Sequence, residues 1–443
     1  MAEATVEEPR LRWYQGITRY QWMVLIIAAL GWLFDTMDQN IFTIMRQPAV
    51  GELVKPLVAP ENLQGATTYY GGIITSVFLL GWAVGGAVFG ILGDRIGRTR
   101  TMVLTILIYA LFTGLSGTAQ TWWMLAIFRF LTALGVGGEW AAGASLVAEV
   151  FPHRSRPMAL GSLQAFSAVG NMTAALICYV LAGVSWRWAF AVGILPALVV
   201  VWIRRSLKEP ERWQHAKEVA MTDVRKELGA IGNLFTDPVL RRNTLAAVLL
   251  ATAGVGGLWG VGFWTPDLLT MVLKPLNIAP EQVGRYRSMM FFVQQVGAFF
   301  GMYAYAIFSE RTSRRAALLV FFMLAWGAVE GMFWTTHTFA QAMIWAPILG
   351  FCTLGPFSAY TLYFPELYPT RLRATGCGFC YNCARVLAAG APWILGALSR
   401  HFAEAHGVDM GFRIAAGIVA CIYVVGLVGL TMAPETKGKP LPE

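Results

Sequence analysis

The chain has 443 residues, of which 56% are hydrophobic and only 13% are charged, and its formal net charge is +9. A soluble protein of this length would carry more charge, so the composition excludes a soluble enzyme and is typical of a protein embedded in a lipid bilayer. The positive net charge does not indicate nucleic-acid binding, because the basic residues are concentrated in every second loop between apolar segments.

Twelve apolar segments follow one another along the chain, each of about 20 residues, the length that crosses about 30 Å of hydrocarbon as a helix. One long polar segment, 204–242, separates the first six from the last six. We therefore predict an all-α membrane protein with twelve transmembrane helices in two pseudo-symmetric six-helix bundles. The apolar segments begin near Gln21, Thr68, Thr101, Trp122, Met158, Trp186, Asn243, Tyr286, Ala316, Ala340, Thr375 and Gly411.

The division of the chain and its orientation follow from these segments. We expect an N-terminal tail at 1–20, bundles at 21–203 and 243–432, a middle loop at 204–242 and a C-terminal tail at 433–443. Arginine and lysine are frequent in the loops on the side of the two tails and rare in the opposite loops. By the positive-inside rule, both termini and the middle loop are predicted to be cytoplasmic. We expect a monomer in the cell membrane that contacts lipid, its small-molecule substrate and protons.

Two loop sequences occur twice, once in each half. GDRIGRTR at 93–100 recurs as SERTSRRA at 309–316, and EVFPHRSR at 149–156 recurs as ELYPTRLR at 366–373. The two offsets agree within one residue, so each half repeats one plan. Many transporters build a central site at the interface of two such repeats.

The repeated loops hold the residues that we expect to form a cytoplasmic gate. Glycine permits a tight turn, and acids beside arginines at helix ends can pair across the halves or meet a helix dipole. For any single arginine, the alternative is that it only fixes the orientation in the membrane. The predicted gate comprises Gly90, Asp94, Arg95, Gly97, Arg98, Glu149, Arg156, Glu310, Arg311, Arg314, Glu366 and Arg373.

The first of these loops resembles the G-x-x-x-D-R-x-G-R signature of the major facilitator superfamily, although Thr99 stands where a basic residue is usual. The E-x-x-P-x-x-x-R elements at 149–156 and 366–373, and the tail at 434–438, resemble those of sugar porters and related metabolite symporters. The resemblance covers the whole chain. It implies the twelve-helix fold with alternating access.

Four ionisable residues lie inside the first and fourth apolar segments, where a charge costs roughly 3 kcal/mol or more. The D-x-x-D pair of Asp35 and Asp38 resembles that of aromatic-acid and sialate or lactate proton symporters. Met45 and Trp122 are the predicted outer ends of these two helices. Counted from them at about 1.5 Å per residue, Asp38 and Arg129 are both roughly 10 Å deep and can face one another. The alternative to proton coupling is that Asp38 and Arg129 form a static ion pair that only holds the two helices together. For Glu139, the alternative is a packing role in which the acid hydrogen-bonds to the second or fifth helix. The predicted proton-coupling residues are Asp35, Asp38, Glu139 and Arg129.

Arg385 lies near the middle of the eleventh segment and needs an anionic partner. Asp267 and Glu330 fall toward outer helix ends, where we expect them to snorkel or to face loops, so an incoming carboxylate is the predicted partner. The alternative is pairing with Asp35 or Glu139. The predicted substrate contacts are Arg385, Asn382, Tyr381, Gln164, Asn171, Gln294, Gln295 and Tyr360.

These features predict a proton-coupled symporter of a small organic anion, such as lactate or an aromatic or sugar acid. The alternative is a neutral sugar or polyol carrier, a symporter or uniporter, which rests on the sugar-porter loops and on Gln164. No nucleophile elbow, phosphate-binding loop or metal-spaced histidine set occurs in the sequence. We therefore expect that the protein is not an enzyme and that it has no catalytic residue, metal or cofactor.

Overall fold

The structure is a computed structural model, and it describes residues 14–152, 155–198, 202, 206, 231–369 and 372–439. The described residues form helices joined by short turns, with no strand among them. Each predicted apolar segment begins within six residues of a helix start. The first half contains α1 (Arg19–Val54), α2 (Leu63–Ile96), α3 (Arg98–Ser116), α4 (Trp122–Val150), α5 (Arg156–Val180) and α6 (Trp186–Val192).

In the second half, four of the six predicted segments are interrupted. A 3₁₀ turn at Gly262–Trp264 divides the seventh segment, and short turns divide the tenth, eleventh and twelfth. The helices are α7 (Pro238–Gly260), α8 (Thr265–Leu273), α9 (Pro280–Arg311), α10 (Arg314–Thr335), α11 (Phe339–Leu354), α12 (Phe357–Leu362), α13 (Arg373–Ala388), α14 (Gly390–His406), α15 (Val408–Ala420) and α16 (Ile422–Met432), with the short helix Asn233–Thr236 before α7.

Nine segments of the described chain are long and apolar enough to cross a membrane. The other three predicted spans correspond to α4, to α6 with the residues after it, and to α13 with α14. The helix starts have local causes. Thr18 with Gln21 and Thr338 with Gln341 form capping boxes at the starts of α1 and α11, where side chains satisfy free backbone N–H groups.

Glycines set the closest helix contacts in the same way in both halves. A Cβ added at Gly137 of α4 would collide with the carbonyl oxygen of Trp82 in α2, so these two backbones touch. In the second half, a Cβ at Gly350 of α11 would collide with the carbonyl oxygen of Gln294 in α9. Small residues permit such close helix packing in a membrane. The second and fourth membrane spans of each half, α2 with α4 and α9 with α11, therefore pack alike, as the internal repeat predicts.

The two halves meet along α2 with α13 and α14, α5 with α9, and α1 with α8. Gly72 early in α2 touches Pro392 of α14, and Gly86 later in α2 touches Asn382 of α13, so α2 runs antiparallel to this pair. Both ends of the described chain consequently lie on one side of the bundle. We call that side the terminal face and the opposite side the distal face.

The predicted end of the first helix is wrong. α1 does not stop at Met45 but continues through Pro48 to Val54, and Arg46 is buried within it. The sequence pattern suggested a loop because a charged residue follows the apolar run. The charge is tolerated because another helix supplies a partner for it.

Candidate functional site

Asp38 of α1 and Arg129 of α4 form a fully buried ion pair, which confirms that they face one another. Arg129 Nη1 lies 2.9 Å from Asp38 Oδ2 and 3.1 Å from Oδ1. The guanidinium carbon lies 4.8 Å from the ring centroid of Phe78, 5.4 Å from that of Phe42 and 5.7 Å from that of Phe190. An aromatic enclosure therefore keeps water from the pair, and neither charge has a second ionic partner among the described residues.

Asp35 and Glu139 form an acidic pair next to this ion pair. Both carboxyl groups are buried, and they are near enough to one another to interact electrostatically. No other described group donates a hydrogen bond to either of them. Glu139 makes no hydrogen bond to a described residue of the second or fifth helix, and it packs against Gly31 of α1. Two carboxylates at this distance repel one another, so a proton held between them is required to make the contact favourable.

Arg385 of α13 is buried against the first half of the chain. Its Nη1 donates to Asn382 Oδ1 at 2.8 Å, and its guanidinium carbon lies 3.9 Å from the Tyr381 ring and 4.1 Å from the Trp82 ring. Nη2 has no hydrogen-bond partner, and no described carboxylate pairs with the guanidinium. The alternative, in which Arg385 pairs with Asp35 or Glu139, is therefore not observed among the described residues.

Aromatic side chains from both halves surround this arginine. The Trp82 ring centroid lies 5.9 Å from that of Trp259 in α7, and Phe78 lies 6.1 Å from Trp82 and 6.0 Å from Trp259. The sequence pattern alone did not single out Phe78 or Trp82. Their spacing of four residues on α2 was the available signal, since it places both rings on one helix face.

A chain of amide side chains bridges the halves beside the ion pair. Asn40 Nδ2 donates to Asn171 Oδ1 at 2.6 Å, and Asn171 Nδ2 donates to Gln295 Oε1 at 2.8 Å. Gln295 Nε2 and Asn40 Oδ1 have no hydrogen-bond partner among the described residues. Two predicted substrate contacts thus lie together, and two amide atoms remain for a ligand. Asn40 was missed, although it lies two residues from Asp38 in the same polar run.

Two of the other predicted neutral contacts are engaged in hydrogen bonds within the protein, and the third is not. Gln294 accepts from Thr265 Oγ1 at 2.7 Å and donates to the Gly262 carbonyl at 3.0 Å, so both ends of its amide are occupied. Tyr360 donates to the Leu250 carbonyl at 3.1 Å. Gln164 is half-buried on α5 and makes no hydrogen bond to a described residue. A substrate role for these three stays a prediction.

On the terminal face, part of the predicted gate forms a charge cluster within the second half. Arg314 Nη2 lies 2.9 Å from Glu366 Oε1, and Arg314 Nη1 lies 2.6 Å from Glu310 Oε1. Glu435 accepts from the backbone N–H groups of Arg314 and Arg315 at 3.1 and 3.2 Å. The carboxylate therefore sits at the N-terminus of α10, where the helix dipole favours it.

Glu435 lies outside the spans, and its surroundings affect its pKa in two directions. Partial burial raises the pKa, but the backbone N–H groups of Lys437, Arg315 and Arg314 outweigh this and hold it below its ordinary value. These hydrogen bonds dock the tail onto the loop between α9 and α10.

The first-half gate is only partly described. Gly97 has φ of 112° and starts α3, a conformation that favours glycine, and Gly90 lies late in α2. Arg311, in the second half, is exposed at the end of α9. Six predicted gate side chains lie outside the described part of the structure, namely Asp94, Arg95, Arg98, Glu149, Arg156 and Arg373.

Toward the distal face, a buried ion pair that the sequence did not predict joins the halves. Arg46 of α1 pairs with Asp267 of α8, and Gln47 Nε2 donates to Asp267 Oδ1 at 2.9 Å. Arg46 also donates to the Phe263 carbonyl at 2.9 Å and stacks 3.6 Å from the Trp264 ring centroid. The expectation that Asp267 faces a loop is wrong, because its carboxylate is buried between the halves. We call this cluster the distal latch.

Comparison with known proteins agrees with this geometry. The family model described as Major Facilitator Superfamily matches residues 29–274. The chain is 31% identical over 433 residues to the "Probable 4-methylmuconolactone transporter" of Cupriavidus pinatubonensis, covering 96% of this chain and 93% of that one. It is 28% identical over 386 residues to the "Cis,cis-muconate transport protein" of Acinetobacter baylyi, covering 84% and 87%.

Among solved structures, the xylose transporter XylE from E. coli in a partially occluded inward-open conformation has the same fold. The TM-score is 0.73 at 17% identity, over 96% of this chain and 100% of that one. The predicted twelve-helix fold and the predicted family resemblance are both confirmed.

Proposed function

Because the chain belongs to the Major Facilitator Superfamily, and is therefore a multi-pass membrane transporter and not an enzyme, we propose that it carries a small organic anion together with protons. The observation that carries the proposal is the guanidinium of Arg385, which is buried at the interface of the halves without a carboxylate partner. An unpaired buried cation is costly, and a substrate carboxylate compensates the cost when it binds.

The chemistry of the relatives supports an acid as substrate. Muconate and 4-methylmuconolactone, named for the two relatives above, both carry carboxylate groups on a small unsaturated skeleton. Such a molecule suits a guanidinium between the aromatic rings of Trp82 and Tyr381. The free amide Nε2 of Gln295 would donate a hydrogen bond to one of its oxygen atoms.

Two groups of buried acids support proton coupling. The Asp35 and Glu139 pair holds one proton when the two acids are in contact, and separating them changes the charge of the site. Asp38 and Arg129 form a buried ion pair, and separating the two charges would change the electrostatic environment of the Asp38 carboxylate. A change of conformation that moves α1 against α4 therefore changes proton binding at both places.

For the orientation we propose that the terminal face is cytoplasmic, because its loops carry the excess of basic residues. The bundles then comprise residues 21–203 and 243–432, with cytoplasmic tails at 1–20 and 433–443 and a cytoplasmic middle loop at 204–242. We also propose a monomer, and gating by the terminal-face cluster around Arg314 and Glu366.

Uptake of radiolabelled benzoate and muconate into proteoliposomes tests the anion site. Arg385→Gln should weaken apparent affinity about tenfold or more, as expected for loss of a charge-assisted hydrogen bond. Arg385→Lys keeps the charge but not the planar guanidinium, so its apparent affinity should lie between that of Arg385→Gln and that of the wild type. Full uptake by Arg385→Gln, together with competition by xylose, would support the neutral sugar carrier instead.

An imposed pH gradient tests the proton role, since each pH unit supplies about 1.4 kcal/mol. Asp38→Asn should abolish accumulation above the external concentration while exchange of labelled for unlabelled substrate continues. Accumulation that persists in Asp38→Asn and in Asp35→Asn would show that these carboxylates do not couple transport to protons.

A further inference from the structure

Arg287 of α9 is a second buried arginine without an ion-pair partner among the described residues, and it lies two helical turns before the predicted substrate contacts Gln294 and Gln295. Six arginines are buried among the described residues, and four of them form ion pairs with carboxylates: Arg46, Arg129, Arg314 and Arg413. The two without such a pair are Arg385 and Arg287. Arg385 donates to Asn382, whereas Arg287 makes no hydrogen bond to any described residue, and its Nε is buried and unpaired.

Arg287 lines a crevice of about 320 Å³ that lies between the halves near the distal face. The end of α1 from Met45 to Glu52, the turn after α5 and the start of α9 form its walls. Trp186 and Leu181 supply apolar surface. A Cβ placed on Gly284 would lie 3.3 Å from the Cβ of Ala182 and 3.8 Å from Arg287 Nη2, so both side chains flank Gly284 at the same end of the crevice.

The acids around this crevice do not neutralise Arg287, because each has a cation of its own. Glu52 Oε1 lies 2.9 Å from Arg187 Nη2, and Glu52 Oε2 accepts from Trp186 Nε1 at 2.7 Å. Glu281 pairs with Arg285 at 2.7 Å.

The acid of the distal latch is also occupied. Asp267 accepts hydrogen bonds from Arg46 and Gln47 on both of its oxygens. The carboxylate of Asp267 is near enough to act electrostatically on Arg287, but no described acid pairs with Arg287 or accepts a hydrogen bond from it.

We propose that this crevice is a second anion site, where Arg287 binds the carboxylate of a small organic acid before it reaches Arg385. The class of ligand rests on the proposed function, but the site itself rests on Arg287 alone. A guanidinium in a low-dielectric crevice attracts a carboxylate strongly and directs it bidentately. Trp186 and Leu181 give the hydrocarbon part of the acid an apolar surface. The crevice leads from the distal face toward the interface at which the halves must separate.

Equilibrium dialysis of radiolabelled benzoate against the purified full-length protein in lipid-free micelles tests the site. Wild type should bind benzoate at a second site that Arg287→Gln weakens by at least about tenfold. The Arg385 site should stay within about twofold of wild type, because the two sites share no partner. Arg385→Gln should remove the other site and leave the Arg287 site in place.

Two further variants control for folding and for net charge. Ala182→Asp places a carboxylate beside Arg287, so it should abolish the second site while it supplies the arginine with a partner. Arg400→Gln removes an exposed arginine that does not line the crevice and should leave both sites unchanged.

Retention of two benzoate sites in both Arg287→Gln and Ala182→Asp would overturn the proposal. Loss of the Arg287-dependent site when phosphatidylglycerol is added to the micelles would overturn it as well, since a lipid phosphate would then be the ligand. If Arg385→Gln changes nothing while Arg287→Gln removes a site, the second site stands and the proposed function fails.

Discussion

Replacing Asp267 by asparagine should open the distal face. The carboxylate accepts hydrogen bonds from Arg46 and Gln47 and joins α8 to α1, so it holds the two halves together where an opening would form. Asparagine has nearly the same shape but carries no charge. The substitution thus removes the electrostatic part of the latch and leaves the packing in place.

The expected magnitude follows from what Arg46 retains. Removing one partner of a buried ion pair costs about 3–5 kcal/mol. Arg46 keeps its hydrogen bond to the Phe263 carbonyl and its stacking on Trp264, so we take the lower value. About 3 kcal/mol shifts the ratio of open to closed states by roughly a hundredfold, since each 1.4 kcal/mol is a factor of ten.

Cysteine accessibility measures this shift. Thr68 of α2 is buried at the distal contact with α14, and Thr118 on the same face is already exposed. In a background without native cysteines, Asp267→Asn should raise the maleimide reaction rate of Thr68→Cys by up to the same factor and leave that of Thr118→Cys unchanged. The charge exchange Arg46→Asp with Asp267→Arg should restore slow reaction. An unchanged rate at Thr68→Cys would refute the latch.

Two other predictions concern packing and the tail. Gly137→Ala should push α4 away from Trp82 and destabilise the protein by about 1–3 kcal/mol in thermal unfolding, whereas Gly161→Ala, where a Cβ meets nothing, should be neutral. Glu435→Gln should lower the unfolding midpoint at neutral pH. Because the pKa of Glu435 is below its ordinary value of 4.5 when folded, the difference from wild type should hold above that pH and vanish as the pH falls through the folded pKa; a difference independent of pH would contradict this.

Some contacts followed from the sequence and others did not. The pairing of Asp38 with Arg129 is confirmed, yet the count from Met45 that suggested it used a helix end that the structure moves to Val54. The prediction is nevertheless correct, because a charge buried in an apolar helix needs an opposite charge and few such charges are available. The partner of Asp267 was not predictable in this way, since Arg46 read as a loop residue.

The sequence by itself determined how many spans there are, their order and the repeat between halves. These features depend only on where apolar runs and basic loops follow one another along the chain. For the buried charges other than Asp38 and Arg129, only the tertiary structure decided which of them meet. A helix that is apolar on all sides gives no sign of the direction in which its few polar side chains point. The rotation and packing of the helices decide these contacts. They bring Asp35 near Glu139 and give Arg413 a carboxylate partner, whereas Arg287 has no ion-pair partner among the described residues.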